Sequence, residues 1–454
     1  MAADGPRSKA DVDRILERLD DPTEAADSGG EFTQPTGRPY EREKLLRQLH
    51  ASTRTLPDAA LETLYSSRGL RILGQHGFQE SPQPEHLPAL RCLNNVLVRS
   101  PQARKLLPAE IGADKIVAAL KHGDPEDELA LANIIILSSP GSNLDLTSSF
   151  ETQGLAEALN SNGSLPTAEP TSPCAASLRL LSTLAASYES QAQRFLDSVD
   201  PVLEMLSKMA IGTPPLEGPV AILVNCLPVL PLQKKDHVSV EAVGMMVDIL
   251  KDCIDFYGKG DKESEILPLL LALNHISQSD AAEAKTRLQE WLIPSEEDRK
   301  EALGKGQTLP HKLLHMSNTS MYPEVREVTM TLFFELSDKD PSRFVHNVGF
   351  GNAAGYLSTK GIEISQKDLG EAGSADVNPI TGQRVDAEPQ PDLPEMTEEE
   401  KEREAERLFV LFERLKATGV VDVENPVTQA MQSGRIEELP DDASDDDVDE
   451  KKKP

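Results

Sequence analysis

The sequence predicts an all-α protein, an armadillo/HEAT-type right-handed superhelical solenoid followed by an acidic C-terminal helical segment and a disordered tail. Its aromatic content is only 4% and its apolar residues are mostly Leu, Ala, Val and Ile, a mixture that favours helix packing over sheets. An apolar unit recurs at a spacing of roughly 40 to 50 residues, as in armadillo and HEAT arrays. Half of the net charge of −30 falls within residues 361–454, which indicates a separate acidic region.

These patterns divide the chain into five parts. The first contains a short amphipathic helix, predicted over residues 10–19, with Val12, Ile15, Leu16 and Leu19 on one face. The predicted parts are an N-terminal helix and loop (1–39), the solenoid (40–362), an acidic linker (363–394), a partner-contacting helical segment (395–440) and a disordered acidic tail (441–454).

The recurring unit is an apolar helix with a polar residue near its middle. It runs over residues 90–98, 129–136, 220–227 and 269–276, and residues 178–184 fill the remaining gap. The polar residues are Asn95, Asn133, Asn225 and Asn274, with Ser182 or Thr183 in the gap unit. Because such a helix cannot bury its apolar face alone, neighbouring units are expected to stack and form a concave groove.

The recurrent asparagines allow two interpretations. On groove-lining helices, both ends of each amide could hydrogen-bond the backbone of a bound peptide. Alternatively, each asparagine satisfies the end of a neighbouring helix. Arg68 and Arg71, early in the array, could form a local basic spot for a carboxylate, or remain solvated surface arginines. Periodicity and charge leave both alternatives open.

The overall charge argues against nucleic acid or an anionic membrane as the main partner. Four scattered cysteines (Cys92, Cys174, Cys226 and Cys253) fall in or beside apolar runs, which predicts buried thiols and a reduced compartment. The N-terminus has no basic-then-apolar signal, and no stretch approaches 18 uninterrupted apolar residues. A cytoplasmic location is the resulting expectation.

A glycine-rich block follows the array and matches the dinucleotide fingerprint G-x-G-x-x-A over residues 349–354. That fingerprint requires a preceding parallel strand, whereas residues 335–345 predict a helix end, a turn and a helix start. A backbone corner that lets helices approach closely is therefore predicted at the end of the solenoid. The corner residues are Gly349, Gly351, Asn352 and Gly355.

His311 and His315 are spaced like the metal ligands of H-E-x-x-H zinc proteases. Lys312 occupies a position inside this motif, no glutamate base is present, and no third ligand is evident, so two partly exposed helix histidines are predicted instead. No nucleophile and base stand together elsewhere in the sequence. The sequence therefore predicts no metal, no cofactor and no covalent catalysis.

The clearest helix of the acidic region spans residues 396–416. Thr397 and Glu400 form a capping box at its start, and Gly419 follows its end. One apolar stripe consists of Ala405, Leu408, Phe409, Phe412 and Leu415. Such a helix must dock, either on its own solenoid or on a partner. In the tail, Ser444 precedes three aspartates and resembles an acidic-directed phosphorylation site.

Several of these segments resemble the synembryn family, exchange factors and chaperones for heterotrimeric G-protein α subunits. Residues 90–104 are similar to an early repeat of that family, and residues 331–357 to its most recognisable segment. Residues 378–382 and 396–405 match the segments that follow. The resemblance extends from about residue 40 to residue 440, and the glycine block is its most specific part.

The resemblance implies a monomeric solenoid whose groove holds the C-terminal helix of Gα, while the segment after the repeats contacts the Ras-like domain. Exchange would then proceed by holding nucleotide-free Gα better than the GDP-bound form, with no cofactor and no covalent step. The expected tail contacts are Arg71, Asn95, Asn133, Asn225 and Asn274. The expected clamp residues are Leu408, Phe409 and Phe412, and the partner would bring the protein to the cell cortex.

A second function class is an armadillo scaffold or adaptor that binds a peptide without exchange activity. It predicts that the acidic C-terminal region can be deleted with only a loss of avidity. A third class, a dinucleotide enzyme built on Gly349 and Gly351, predicts a cofactor absorbance or fluorescence signal. The Gα subtype and the balance between exchange and chaperoning do not follow from the sequence.

Overall fold

A computed structural model describes residues 6–21, 38–79, 83–122, 125–139, 172–258, 263–362, 377–378 and 380–388, together with eight isolated positions. Helices dominate these residues, and their only extended pairing is a single antiparallel bridge between Val377 and Arg384. No helix among the described residues is long and apolar enough to cross a membrane.

The first half of the chain contributes eight helices to the described residues. They are α1 (Lys9–Asp20), α2 (Arg38–Thr55), α3 (Asp58–Leu61), α4 (Ser67–Gly77), α5 (His86–Arg99), α6 (Pro101–Glu110), α7 (Ala113–His122) and α8 (Pro125–Ser138). The predicted N-terminal helix is confirmed as α1, and the four apolar residues of its predicted face are its buried residues.

Ten further helices follow residue 172. They are α9 (Pro173–Ser187), α10 (Val199–Ser207), α11 (Gly218–Cys226), α12 (Val240–Tyr257), α13 (Leu267–Ser277), α14 (Ala282–Leu292), α15 (Leu309–Thr319), α16 (Pro323–Leu336), α17 (Pro341–Val348) and α18 (Phe350–Thr359). Short 3₁₀ turns join several of them, including Leu232–Lys234 and Asp298–Lys300.

Local sequence signals explain where many of these helices begin. Ser66, Ser100 and Ser172 each accept a hydrogen bond from the third backbone N–H of the helix that follows, which satisfies one orphaned donor. Proline stands at the start of α9 and α17, where its missing N–H is harmless and its fixed φ suits the helix. The helix starts are therefore encoded locally.

Seven helices succeed one another side by side along the array, in the order α2, α5, α8, α9, α11, α13 and α16. The five predicted repeat units lie on α5, α8, α9, α11 and α13, which are consecutive in this order. A second layer packs against them, as α4 and α6 do against α5, and α12 and α14 against α13. The all-α solenoid predicted from the repeat is confirmed.

Three buried polar pairs connect neighbouring helices in the first half of the array. Each joins a carboxylate near a helix start to a side chain on the adjacent helix, and burial of a carboxylate is costly without such a partner. The pairs are His76 with Glu85 (3.8 Å), His86 with Asp127 (3.2 Å), and Glu128 accepting a hydrogen bond from Ser177.

The end of the array is closed by α16, α17 and α18. The rings of Phe334, Phe344 and Tyr356 pack together, with centroids 5.4 to 5.8 Å apart, and hold the last two helices against α16. Part of the predicted acidic linker, residues 377–388, also packs here against the loop between α14 and α15. That segment therefore forms part of the closed end of the solenoid.

Candidate partner-binding surface

We define the asparagine row as Asn95, Asn133, Asn225 and Asn274. Its members occupy α5, α8, α11 and α13, helices of the same layer, and α9 fills the interval between α8 and α11. Ser182 on α9 donates a hydrogen bond to the Asn225 backbone carbonyl at 3.3 Å. The sequence repeat thus places similar amides on four of the five helices α5, α8, α9, α11 and α13, and Ser182 or Thr183 takes the position on α9.

Asn95 uses one end of its amide to fix the end of α2. Its Nδ2 donates to the Thr53 hydroxyl at 2.8 Å. One turn later, the Arg99 guanidinium donates to the carbonyls of Thr53 and Leu56 at 2.7 and 2.9 Å. These carbonyls belong to the last turn of α2 and the residue after it, where helix carbonyls lack partners. At this position the geometry favours the helix-end interpretation.

The other members of the row differ in their exposure. Asn133 is half-buried and Asn225 is exposed, and neither amide makes a hydrogen bond to the residues that the structure describes. Asn274 is buried, and its Oδ1 accepts from Gln278 at 3.4 Å, whose amide also reaches Glu335 at 3.3 Å. Asn133 and Asn225 therefore have amides available to a ligand.

Two arginines that sequence analysis missed lie on this layer. Arg91 and Arg179 are exposed, each four residues before a recurrent polar position and so on the same helix face. Arg91 pairs with exposed Glu126 at 3.4 Å, whereas Arg179 has no ion pair among the described residues. Their spacing of four residues from the recurrent polar positions could have identified both arginines in the sequence. In a protein of charge −30 these cations can attract a carboxylate.

The two arginines that were predicted to form a basic spot early in the array differ in their surroundings. Arg71 is exposed on α4, a helix of the second layer beside α5, and has no partner among the described residues. Arg68 pairs with Asp20 at the end of α1, with 3.3 Å between Nε and Oδ2. Arg71 therefore lies beside the first helix of the asparagine row and not on the layer that carries the row.

The glycine block forms the predicted corner between two helices. Gly349 has a φ of 80°, a left-handed conformation, and joins α17 directly to α18. The Gly351 amide donates to the Ile380 carbonyl at 3.0 Å, and a Cβ on either glycine would lie 3.1 Å from that oxygen. The close neighbour of the corner is thus the predicted acidic linker, at residues 377–378 and 380–388, whereas the sequence predicted the close approach of a helix.

The remaining corner residues have different surroundings. Asn352 accepts from Asn318 on α15 at 2.7 Å and donates to the Val348 carbonyl at 2.6 Å, so it links both sides of the corner. Gly355 has open space where a Cβ would stand. Since a helix precedes Gly349, the block lacks the strand that a dinucleotide site requires.

The prediction of two partly exposed histidines on α15 was wrong for His311, which is buried, and right for His315, which is exposed. His311 Nδ1 accepts from the backbone amides of Gly304 and Gly306, both at 3.0 Å, and Nε2 lies 2.9 Å from the Asp298 carbonyl. The imidazole is buried because the preceding loop packs around it and makes these hydrogen bonds. The described residues contain no cluster of three metal-ligating side chains.

The four cysteines are buried and unpaired in disulfides, as predicted. Burial raises the pKa of the Cys226 and Cys253 thiols to about 12, so both remain protonated and unreactive at neutral pH. Of the predicted helix 396–416, four residues are described: Arg403, Arg407 and Val410 are helical, and Thr397 is not. Leu408, Phe409, Phe412 and Ser444 lie outside the described residues.

Comparison with known proteins places this solenoid in a family. A family profile described as "Guanine nucleotide exchange factor synembryn" matches residues 45–435. Chaperone Ric-8A of Xenopus laevis is 32% identical over 226 residues, which cover 44% of this chain and 41% of that protein. A synembryn-like chaperone of Schizosaccharomyces pombe is 31% identical over 193 residues, covering 39% of this chain and 36% of its own.

A longer and weaker similarity extends over most of the chain. Chaperone Ric-8A of Gallus gallus is 25% identical over 430 residues, which cover 80% of this chain and 79% of that protein. The matches to the Xenopus and yeast proteins span about two fifths of their lengths. Because the family profile covers most of the solenoid and the region after it, the chain belongs to the synembryn family.

Proposed function

We propose that this protein is a guanine nucleotide exchange factor and folding chaperone for heterotrimeric G-protein α subunits. The observation that carries the proposal is the asparagine row, which gives four of five consecutive helices in one layer of the solenoid a similar amide. The family profile over residues 45–435 supports the same function. The partner is inferred from the family, and the row supplies a surface suited to a peptide.

The Gα C-terminal helix is the proposed occupant of this surface. The free amides of Asn133 and Asn225 can pair with peptide groups in either orientation, since an amide both donates and accepts. Arg91 and Arg179 can attract the terminal carboxylate, and Arg71 extends the cationic surface at one edge. Asn95 and Asn274 retain one free amide end each, and so contribute less.

Exchange follows from differential binding and needs no covalent step. If the solenoid and the C-terminal segment hold nucleotide-free Gα more tightly than GDP-bound Gα, the barrier to GDP release falls. The same preference stabilises a Gα chain that has not yet bound nucleotide, which is the chaperone activity. The helix bearing Leu408, Phe409 and Phe412 is proposed to clamp either Gα or the end of the solenoid.

The decisive measurement is GDP release from purified Gα with and without the full chain. We expect acceleration that saturates with the concentration of this protein. An unchanged release rate together with tight peptide binding would establish the scaffold function instead, and the exchange proposal would be abandoned. Deletion from residue 395 onward separates the two further, because a scaffold retains all of its activity except avidity.

The surface is tested separately with a peptide of the Gα C terminus. Asn133→Ala and Asn225→Ala should each weaken binding about fivefold, the value of one ordinary hydrogen bond. Arg71→Ala should weaken binding mainly at low salt, because an exposed cation acts through screened attraction. Arg287→Ala is the matched control, since Arg287 is an exposed cation on α14 that pairs with Glu290 at 2.7 Å. Equal affinity in all four variants would reject the assigned surface.

A further inference from the structure

Arg299 is the largest fully buried polar side chain among the described residues, with 2% of its surface exposed. It stands in the loop between α14 and α15, and its nearest carboxylate, exposed Glu296, is 3.8 Å away. Burial lowers the pKa of the guanidinium, which shows how unfavourable this environment is for a charge. A buried cation without a close counter-ion must obtain its stabilisation from hydrogen bonds.

Those hydrogen bonds go to two backbone carbonyls in different segments. One terminal nitrogen donates to Gly382 at 3.2 Å, and the other donates to His346 on α17 at 2.9 Å. Gly382 is 83 residues away in sequence. The guanidinium therefore joins three parts of the chain: the α14–α15 loop, α17, and the segment after the solenoid.

Main-chain bonds reinforce the same contact. The Arg384 amide donates to the Arg299 carbonyl at 2.7 Å, and the Leu303 amide donates to the Thr381 carbonyl at 3.1 Å. The side-chain amide of Gln383 also donates to the Lys300 carbonyl in the loop, at 3.0 Å. We define the latched turn as Asn378–Glu388 without residue 379. It is fixed along much of its length to the closed end of the solenoid.

The turn has a shape that few sequences allow. Asn378 Oδ1 accepts from the amides of Ile380 and Thr381 at 2.9 and 3.4 Å, which closes an Asx turn. Gly382 has a φ of 68°, and a Cβ there would overlap the Leu303 side chain. A turn that lay loosely on the surface would not require a glycine at position 382, because a Cβ there would have room.

We propose that Arg299 is a positioning residue that latches this turn to the solenoid and fixes the point at which the C-terminal segment departs. The inference rests on the proposed function and deepens it. With the turn latched, the span to residue 395 starts at residue 388; without the latch, it starts at the end of α18, near residue 362. By chain-length scaling alone, lengthening the span from about 7 to about 33 residues lowers the effective concentration of the clamp at its target by about tenfold.

The latch itself is tested by hydrogen–deuterium exchange on the full chain. In Arg299→Met, amides of residues 377–388 should exchange about tenfold faster or more, because the bonds that hold them are lost. Gly382→Ala, which alters the turn and leaves the solenoid intact, should give the same result. In both variants α16 should keep its protection. Unchanged exchange of residues 377–388 in both variants would overturn the proposal.

Lys300→Met is the matched control. Lys300 follows Arg299 directly, carries the same charge, and directs its side chain to exposed Glu297 at 2.7 Å. Loss of this cation should leave exchange in residues 377–388 at the wild-type rate. If Lys300→Met released the turn as strongly as Arg299→Met, the effect would be one of net charge, and the assigned latch would be rejected.

The functional consequence is a split between two measurements. Arg299→Met and Gly382→Ala should lower the acceleration of GDP release about tenfold, while affinity for the Gα tail peptide stays within about twofold of wild type. Full exchange activity with a released turn would overturn the positioning role. If wild type itself fails to accelerate GDP release, the proposed function fails, and the hydrogen-exchange result still decides whether the latch exists.

Discussion

The stacked middle of the solenoid and its closed end are held together by different kinds of contact. From α5 to α13, neighbouring helices bury faces of Leu, Ile, Val and Ala that recur with each unit. At the end, a guanidinium donates to carbonyls in two other segments, and two glycines leave room for a backbone oxygen that would lie only 3.1 Å from a Cβ at either position. Apolar burial that recurs with each unit stabilises the middle, whereas individual hydrogen bonds and close backbone contacts stabilise the closed end.

This difference determines how each region responds to change. Apolar packing between helices depends on volume, so similar side chains can replace one another at modest cost. The closed end depends on donors and acceptors whose partners cannot be exchanged, since an unpaired buried group keeps its full desolvation penalty. Damage in the middle should therefore scale with the volume removed, whereas damage at the end should depend on the identity of the residue.

The largest expected effect is in the middle. Leu273 on α13 is fully buried, so Leu273→Ala should lower the free energy of unfolding by about 2–5 kcal/mol through lost burial and the cavity left behind. The urea midpoint, followed by circular dichroism, measures the change. Leu271→Ala, at a partly exposed position of the same helix, should cost clearly less. Equal losses would mean that volume at the stacked face does not control this region.

An intermediate effect is expected at the corner, where two glycines give opposite signs. Gly349→Ala should destabilise by about 1–2 kcal/mol, because its φ of 80° is strained for alanine and the Ile380 oxygen is too close. Gly355→Ala should stabilise by about 0.5–1 kcal/mol, because this helical position has open space. Thermal midpoints measure both. Destabilisation by Gly355→Ala would show that the space around Gly355 does not tolerate a Cβ, contrary to this prediction.

The smallest effect concerns a buried carboxylate and depends on pH. Burial raises the pKa of Glu128 above its ordinary value of 4.5, so the native state binds a proton more readily than the unfolded chain. Stability from this group is therefore full below pH 4.5 and declines as pH rises through the raised value. Glu128→Gln, which still accepts from Ser177, should remove that decline.

Thermal midpoints between pH 4 and pH 8 provide the measurement. The advantage of Glu128→Gln over wild type should grow with pH, and the exposed neighbour Glu126, changed to Gln, should show no such trend. A constant difference across this range would show that burial does not control the ionisation of Glu128.

The sequence predicted the middle of the molecule well because its determinants are local. The apolar face of α1 and the placement of Asn95, Asn133, Asn225 and Asn274 on one layer follow from periodicity, which each helix carries in its own residues. The exposure of each amide does not follow from periodicity. It depends on neighbours from other helices, such as Thr53 beside Asn95, that no periodicity identifies.

The closed end was harder to predict for the same physical reason. The glycine corner could be recognised from the residues before it, yet its closest contact comes from residues 377–388, which composition assigns to a linker. Asp, Glu, Gly and Pro are typical of linkers, and nothing near Asn378 indicates that Arg299 pairs with this turn. Likewise, the burial of His311 depends on the loop amides that it accepts from, and helical spacing does not reveal it.

The three buried polar pairs between neighbouring helices also bear on which helices pack against each other. The apolar faces of similar units are nearly interchangeable, so area alone would permit a helix to stack against the wrong neighbour. A misplaced helix would leave a buried carboxylate, such as Asp127, without its histidine, and an unsatisfied buried group costs about 1–3 kcal/mol. These polar pairs therefore favour the native neighbours over arrangements in which a buried carboxylate lacks its partner.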